Sequence, residues 1–304
     1  MYTPIRTARS RTVALRNHRY HLRTWSEPRD GTPPLVLVHG WMDVGASWQF
    51  VVDALSQDRW VIAPDWRGFG LTEGAPVDHY WFPDYLADLD CLLDAVTGDA
   101  PVDLVGHSMG GNIAMLYAGV RPARIRRLVN LEGFGLPATT PDQAPARHAQ
   151  WIDEVKAFAV GEKALTAYDD ADGVARRLMR TNPRLALDRA RWLAQHWARP
   201  VRQPDGSERW QILGDPAHKV VNAQLYRVEE VLAHYAAIAA PVLSVEASDD
   251  SMRLWWKDRY TLADYHARLR SVPDCRTARV EDAGHMLHHD QPAQVARLLE
   301  DFLT

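Results

Sequence analysis

Gly106-His107-Ser108-Met109-Gly110 fits the pattern G-x-S-x-G, between the apolar run Val102-Asp103-Leu104-Val105 and a helical pattern over 112–120. A serine on a sharp strand-to-helix turn is held in a strained backbone conformation with its hydroxyl exposed. Small residues two before and two after it relieve the crowding, and the start of the helix behind it favours developing negative charge. The pentapeptide alone could be an ordinary glycine-rich turn; a strand before it and a helix after it make Ser108 a candidate nucleophile. A serine needs a base, and thirteen histidines compete for that role. His285 stands in Asp282-Ala283-Gly284-His285-Met286, just past the last predicted strand, where a loop can reach the end of a sheet. His288 and His289 sit toward the final helix, and His107 leaves from the turn itself. His285 is therefore the expected base.

Acyl transfer also requires backbone N–H donors aimed at the oxygen of a tetrahedral intermediate. Met109, the residue after the nucleophile, supplies one. The second is expected from the loop His39-Gly40-Trp41-Met42. Gly40 permits the turn, Trp41 offers its N–H, and its indole would line the pocket.

These residues must be held by elements, and the chain alternates strand and helix patterns to do so. Leu35-Val36-Leu37-Val38, Trp60-Val61-Ile62-Ala63, Val102-Asp103-Leu104-Val105 and Leu128-Val129-Asn130-Leu131 are short apolar runs. Between them 47–55, 85–96 and 112–120 space apolar residues three to four apart. Such alternation predicts a mostly parallel sheet covered on both faces. Upstream, 13–25 alternates around Asn17-His18 and predicts a β-hairpin. After Gly135 the rhythm breaks. Residues 137–238 show helical patterns (146–158, 173–180, 185–197, 225–238) punctuated by Pro183, Pro200, Pro204 and Pro216, with no convincing strand. Strand Pro241-Val242-Leu243-Ser244-Val245, helix 262–269, strand 277–280 and helix 293–302 then resume the pattern. The expected architecture is an α/β core of 1–136 and 239–304, interrupted after its sixth strand by a helical cap over 137–238. Ligands of open α/β sheets sit at the carboxyl ends of the strands, where His39-Gly40-Trp41, Asp65, Ser108, Glu132 and Asp249-Asp250 all fall.

Composition narrows the class. The 304 residues are 46% hydrophobic with a net charge of −4, which excludes disorder and argues against a nucleic-acid partner. No uncharged apolar stretch of about 18 residues occurs, so no membrane span is expected. Cys91 and Cys275 are too few for a disulfide framework or a metal cluster. Residues 1–23 carry six arginines and no acid, a faint transit-peptide pattern, but no apolar stretch of about 7–15 residues follows as in a secretory signal. A reducing, cytoplasmic setting is expected. The 12 tryptophans are an excess; Trp151, Trp192, Trp197 and Trp210 fall in the cap and Trp255 and Trp256 after Asp249-Asp250, suggesting an apolar pocket under the cap.

His39-Gly40-Trp41, Asp65-Trp66-Arg67-Gly68-Phe69-Gly70, Gly106-His107-Ser108-Met109-Gly110-Gly111 and Gly284-His285 together resemble the α/β-hydrolase fold superfamily over essentially the whole chain. The first elements and the cap resemble the branch that holds haloalkane dehalogenases, epoxide hydrolases and serine hydrolase-like proteins. The dehalogenases and epoxide hydrolases of that branch use an aspartate nucleophile; Ser108 argues against both activities and for acyl transfer. The order serine, acid, histidine suits the fold. The resemblance places the acid after the strand following the cap or after the strand preceding it. Asp250 is the leading candidate, although Ala247 stands where glycine is common; Glu132 is the alternative and Asp249 a third. In Asp65–Gly70 the resemblance is architectural, with Gly68 and Gly70 permitting a turn and Asp65 and Arg67 anchoring it through a salt bridge. The implied function is hydrolysis of an ester, or a related acyl bond, in a small to medium, largely apolar substrate. Such a reaction needs no metal or organic cofactor. Lactone, thioester or carbon–carbon bond hydrolysis would use the same groups, and a non-catalytic member binding a small ligand under the cap is the reading of another class.

Overall fold

The structure, a computed structural model, describes residues 2–203 and 205–304; Pro204, one of the expected breakers, lies outside them. The chain opens with the expected hairpin, β1 (Arg9–Leu15) and β2 (His18–Trp25), turned at Arg16 with φ 52°. Then come β3 (Leu35–Val38), α1 (Gln49–Ala54), β4 (Val61–Pro64), α2 (Pro83–Thr97), β5 (Val102–His107), α3 (Met109–Val120) and β6 (Ile125–Leu131). The insertion holds α4 (Ala144–Ala159), β7 (Ala167–Tyr168), α5 (Ala171–Thr181), α6 (Leu187–Trp197), β8 (Ala198–Arg202), β9 (Glu208–Ile212) and α7 (Val228–Ala236). The core resumes with β10 (Val242–Ala247), α8 (Ser251–Trp256), α9 (Leu262–Leu269), β11 (Cys275–Val280), α10 (Leu287–Asp290) and α11 (Pro292–Leu303).

Eight strands form one sheet in the order β1-β2-β4-β3-β5-β6-β10-β11. From β4 to β11 all neighbours are parallel, and the hairpin joins antiparallel through β2. The two-residue period of a strand sends alternate side chains to opposite faces. In β3, Val36 and Val38 pack with Leu89 and Ile113 of α2 and α3, whereas Leu35 and Leu37 pack with Val51 and Leu299 of α1 and α11. Both faces are dry. Truncating a core leucine such as Leu104 would cost about 2–5 kcal/mol, so the strand ends that carry the site are set by a rigid support.

The insertion departs from the expectation of helices alone. β7, β9 and β8 make a separate three-stranded antiparallel sheet. The turn between β8 and β9 contains Asp205-Gly206, with Gly206 at φ 86°, a sequence suited to hairpins. Pro200 is tolerated because β8 lies at the sheet edge. The last helix also departs: α7 packs on the core, where Val231 and Tyr235 join the main hydrophobic cluster. A Cβ on Gly119 of α3 would sit 2.2 Å from the His234 carbonyl oxygen, so the helix backbones nearly touch. The remaining insertion buries Val174, Leu178, Leu193 and Trp197 against Val44, Ala46 and Phe50 of the core.

The segment Asp65–Gly70 is anchored as expected, but Asp65 and Arg67 use separate partners. Asp65 holds the His21 ring (2.8 Å) and the N–H groups of Gly45 and Leu71. Arg67 forks onto Asp88 at 2.5 and 2.6 Å and also reaches Asp84. From the insertion, His218 stacks between the rings of Phe69 and Tyr80, at 3.8 and 3.7 Å.

Candidate active site

Ser108 stands at the junction of β5 and α3 with φ 52° and ψ −116°, a conformation rarely open to a residue with a Cβ. The neighbouring glycines are needed for space. A Cβ on Gly106 would lie 2.4 Å from the Gly110 carbonyl oxygen, and one on Gly110 would lie 2.5 Å from the carbonyl oxygens of Val38 and His39. Met109 begins α3, so its N–H is among those at a helix start without an intrahelical acceptor. The loop after β3 lies against the serine: a Cβ on Gly40 would meet Ser108 Cβ at 3.1 Å and His107 Nδ1 at 3.0 Å. His39 fixes that loop, accepting from the Trp66 N–H at Nε2 and donating from Nδ1 to the Gly40 carbonyl. Trp41, next in the chain, is 52% exposed.

The structure brings His285 to Ser108. His285 Nε2 lies 3.0 Å from Ser108 Oγ, and Nδ1 lies 3.2 Å from Glu132 Oε2. Glu132 follows β6 with φ 57°; its N–H donates to the Val245 carbonyl and its Oε1 accepts from the Ala247 N–H at 2.8 Å. Asn130 braces this turn, accepting from the Gly133 N–H and donating to the Gly133 carbonyl. His107 holds the backbone of His285, its Nε2 donating to the His285 carbonyl at 2.7 Å. Trp255 meets the His285 ring edge to face, 4.3 Å between centroids.

Electrostatics follow from burial. Desolvation pushes the Glu132 carboxyl up to about 7, against the opposing pull of the Ala247 N–H and the Ser251 hydroxyl. Burial likewise pulls the His285 imidazole down to about 4, which keeps it neutral and able to accept a proton.

Of the three expected acids, only Glu132 reaches His285. Asp250, the leading candidate, instead caps α8, accepting from the Arg253 N–H at 2.9 Å. Asp249 pairs with Arg184 of the insertion at 2.7 Å. The reason is reach and register: β6 lies beside β10, so the longer Glu132 side chain crosses the strand end to the ring. Asp250 is already spent on the helix start. Two tryptophans of the insertion lie elsewhere. Trp197 is buried with its indole N–H on Ser47, and Trp192 packs on Tyr2, Phe50 and His196. Trp255 is the aromatic that meets the imidazole. The bracing by Asn130 and His107 is not apparent from local sequence; the position of Asn130 two residues before a strand-end acid is the one signal of it.

The constellation can deprotonate a hydroxyl and hold a developing imidazolium, beside a helix start and a turn that present N–H groups. Among the described residues no helix is long and apolar enough to cross a membrane.

Comparison with known proteins bears on the fold and the family. A serine hydrolase-like protein of Danio rerio is 27% identical over 281 residues, 91% of this chain and 82% of that protein. A 3-hydroxybutyrate-oligomer hydrolase of Cupriavidus necator is 28% identical over 288 residues, 92% of this chain and 91% of that protein. Among solved structures, the thioesterase domain from the curacin biosynthetic pathway superposes with a TM-score of 0.80 at 23% identity, over 97% of this chain and 99% of that one, a likeness of fold. The alpha/beta hydrolase fold family matches residues 33–292, and with most of its length inside that match the chain belongs to this family.

Proposed function

We propose that the protein is a serine hydrolase that cleaves an ester bond in a small to medium, largely apolar substrate, with Ser108 as nucleophile, His285 as base and Glu132 as acid. The observation that carries this reading is the continuous link Ser108 Oγ–His285–Glu132, at 3.0 and 3.2 Å, on a strained turn. Ser108 Oγ attacks the carbonyl carbon while its proton passes to His285 Nε2. The oxygen that gains charge is held by the Met109 and Trp41 N–H groups. Collapse breaks the bond to the alcohol, which leaves with the proton from His285, and an acyl group remains on Ser108. Water then gives a proton to His285 and attacks the acyl carbon, and the proton returns to Ser108 as the acid departs. Glu132 keeps the imidazole in the tautomer with Nδ1–H and stabilises the imidazolium. No step calls on a metal or organic cofactor.

An apolar substrate is supported by two exposed indoles, Trp41 in the turn beside Ser108 and Trp255 on His285, 52% and 43% exposed. The hydrolase names of the relatives are consistent with the reaction class. The test is turnover of p-nitrophenyl esters from acetate to dodecanoate by wild type and Ser108→Ala. Turnover that disappears in the variant is expected, and the preferred chain length sizes the pocket. Ester turnover surviving Ser108→Ala would overturn the assignment.

A further inference from the structure

Behind the imidazole of His285 lies a second group of histidines that the proposed reaction does not use. Asp43, His288 and His289 are all buried, and one ligand atom from each lies within 4.8 Å of the others. Among the described residues, both ring nitrogens of His288, Nε2 of His289 and Oδ2 of Asp43 are buried without a hydrogen-bond partner. Buried polar atoms are almost always satisfied, so this concentration of lone pairs and ring nitrogens in one place calls for an occupant. Asp43 is oriented for one. Its Oδ1 accepts from the Val44 N–H and the Ser47 hydroxyl, which turns Oδ2 toward His288 Nε2 at 3.7 Å. That separation suits two atoms bound to a common ion at about 2.0–2.2 Å from each.

The geometry points to a structural site for a divalent transition ion of the zinc class, held by Asp43, His288 and His289. Two imidazoles and one carboxylate are the donor set such an ion takes, and the Ser47 hydroxyl and Val44 N–H supply the outer support that ligating carboxylates require. The site also has a place in the architecture. Asp43 belongs to the turn after β3 that carries Trp41, and His288 and His289 belong to α10, just after His285. An ion there would fasten these two segments together, one ring away from His107. The inference stands whether or not Ser108 is the nucleophile, because it concerns groups that do not touch substrate.

The test is metal content per chain by mass spectrometry. Chelator-stripped protein is supplied with zinc both in the folded state and during refolding, so that slow entry to an occluded site is not taken for refusal. One zinc per chain retained through gel filtration is expected, with a higher thermal midpoint. His289→Gln and His288→Ala should each weaken retention by about tenfold or more, while His285→Ala should retain it. Cobalt(II) bound to the wild type should show the visible absorption of low-coordinate nitrogen and oxygen ligation, a readout that does not depend on any variant folding. No uptake by either route would overturn the site. So would retention that survives His288→Ala, or retention lost in His285→Ala, which would place the ion at the proposed catalytic histidine.

Discussion

Among the described residues, two places hold a serine, a histidine and an acid in hydrogen-bonded series. One is Ser108–His285–Glu132. The other is Ser10–His21–Asp65, where Ser10 Oγ lies 2.5 Å from His21 Nε2 and His21 Nδ1 lies 2.8 Å from Asp65 Oδ2. By distance alone the second is the tighter. What differs is everything around the three residues. Ser108 occupies a strained turn at a helix start, whereas Ser10 is an exposed residue of the extended edge strand β1, with no helix beginning there. The acids differ as well. Burial acts on both, but Asp65 takes the His21 ring and the N–H groups of Gly45 and Leu71, and these outweigh burial and hold its pKa below the ordinary value. At Glu132 burial outweighs the Ala247 N–H and the Ser251 hydroxyl and pushes the carboxyl up to about 7. The lesson is that three residue types in series do not make a hydrolase; a strained nucleophile with nearby N–H donors does. The role of Ser10–His21–Asp65 is to tie the hairpin to the turn after β4.

The largest expected contrast is between the serines. Ser108→Ala should lower kcat by about 10⁴–10⁶-fold, whereas Ser10→Ala should leave kcat/KM within about twofold of wild type, measured on the same ester. The acids should separate next. Glu132→Gln should lower kcat by about 10³–10⁴-fold, because the imidazole loses the charge that steadies it. Asp65→Asn should instead act on stability, by about 2–4 kcal/mol in denaturant unfolding, since it disturbs a buried, multiply bonded carboxylate. Asp250→Asn should change kcat by no more than about threefold, because only a helix cap is altered.

The dependence on pH should run in opposite directions for the two acids. Glu132 rises from 4.5 to about 7 on folding, so the folded state binds its proton more tightly. It is neutral in both states below about 4.5 and opposes folding increasingly as pH rises toward 7. Glu132→Gln should therefore stabilise the fold at pH 8 by about 2 kcal/mol and do little at pH 4. Asp65, lowered on folding, contributes stability above its unfolded pKa that is lost as pH falls through its folded value. Its variant should be most costly near neutrality. An effect between those of Glu132→Gln and Asp250→Asn is expected from Gly40→Ala, where the added methyl meets Ser108 Cβ and His107 Nδ1 at 3.0–3.1 Å. It should lower kcat by about tenfold with little change in KM, through displacement of the turn that carries Trp41.

Legibility in the sequence followed locality. Ser108, Met109 and the turn at Gly40 were readable because strand, turn and helix are adjacent in the chain and their chemistry is local. His285 was readable because it follows the last strand. Which acid meets His285 was not, since Glu132 and Asp250 both follow strands of the same sheet and side-chain reach separates them. Asp250 three residues before Arg253 at a helix start did carry a capping signal, and the pairing of Asp249 with Arg184 is a contact across 65 residues that no local pattern encodes. The small sheet in the insertion was legible in part: Asp205-Gly206 between alternating segments is a hairpin sequence, outweighed by the prolines around it. The grouping of Asp43 with His288 and His289 depends wholly on tertiary packing.

The most direct measurement is to react the folded protein with a fluorophosphonate and locate the adduct by peptide mass spectrometry. A single modification on Ser108, absent in Ser108→Ala and strongly slowed in Glu132→Gln, is the predicted result. Modification of Ser10, or a rate at Ser108 unchanged by Glu132→Gln, would contradict the claim that the strained turn and its buried glutamate make one of these two serines reactive.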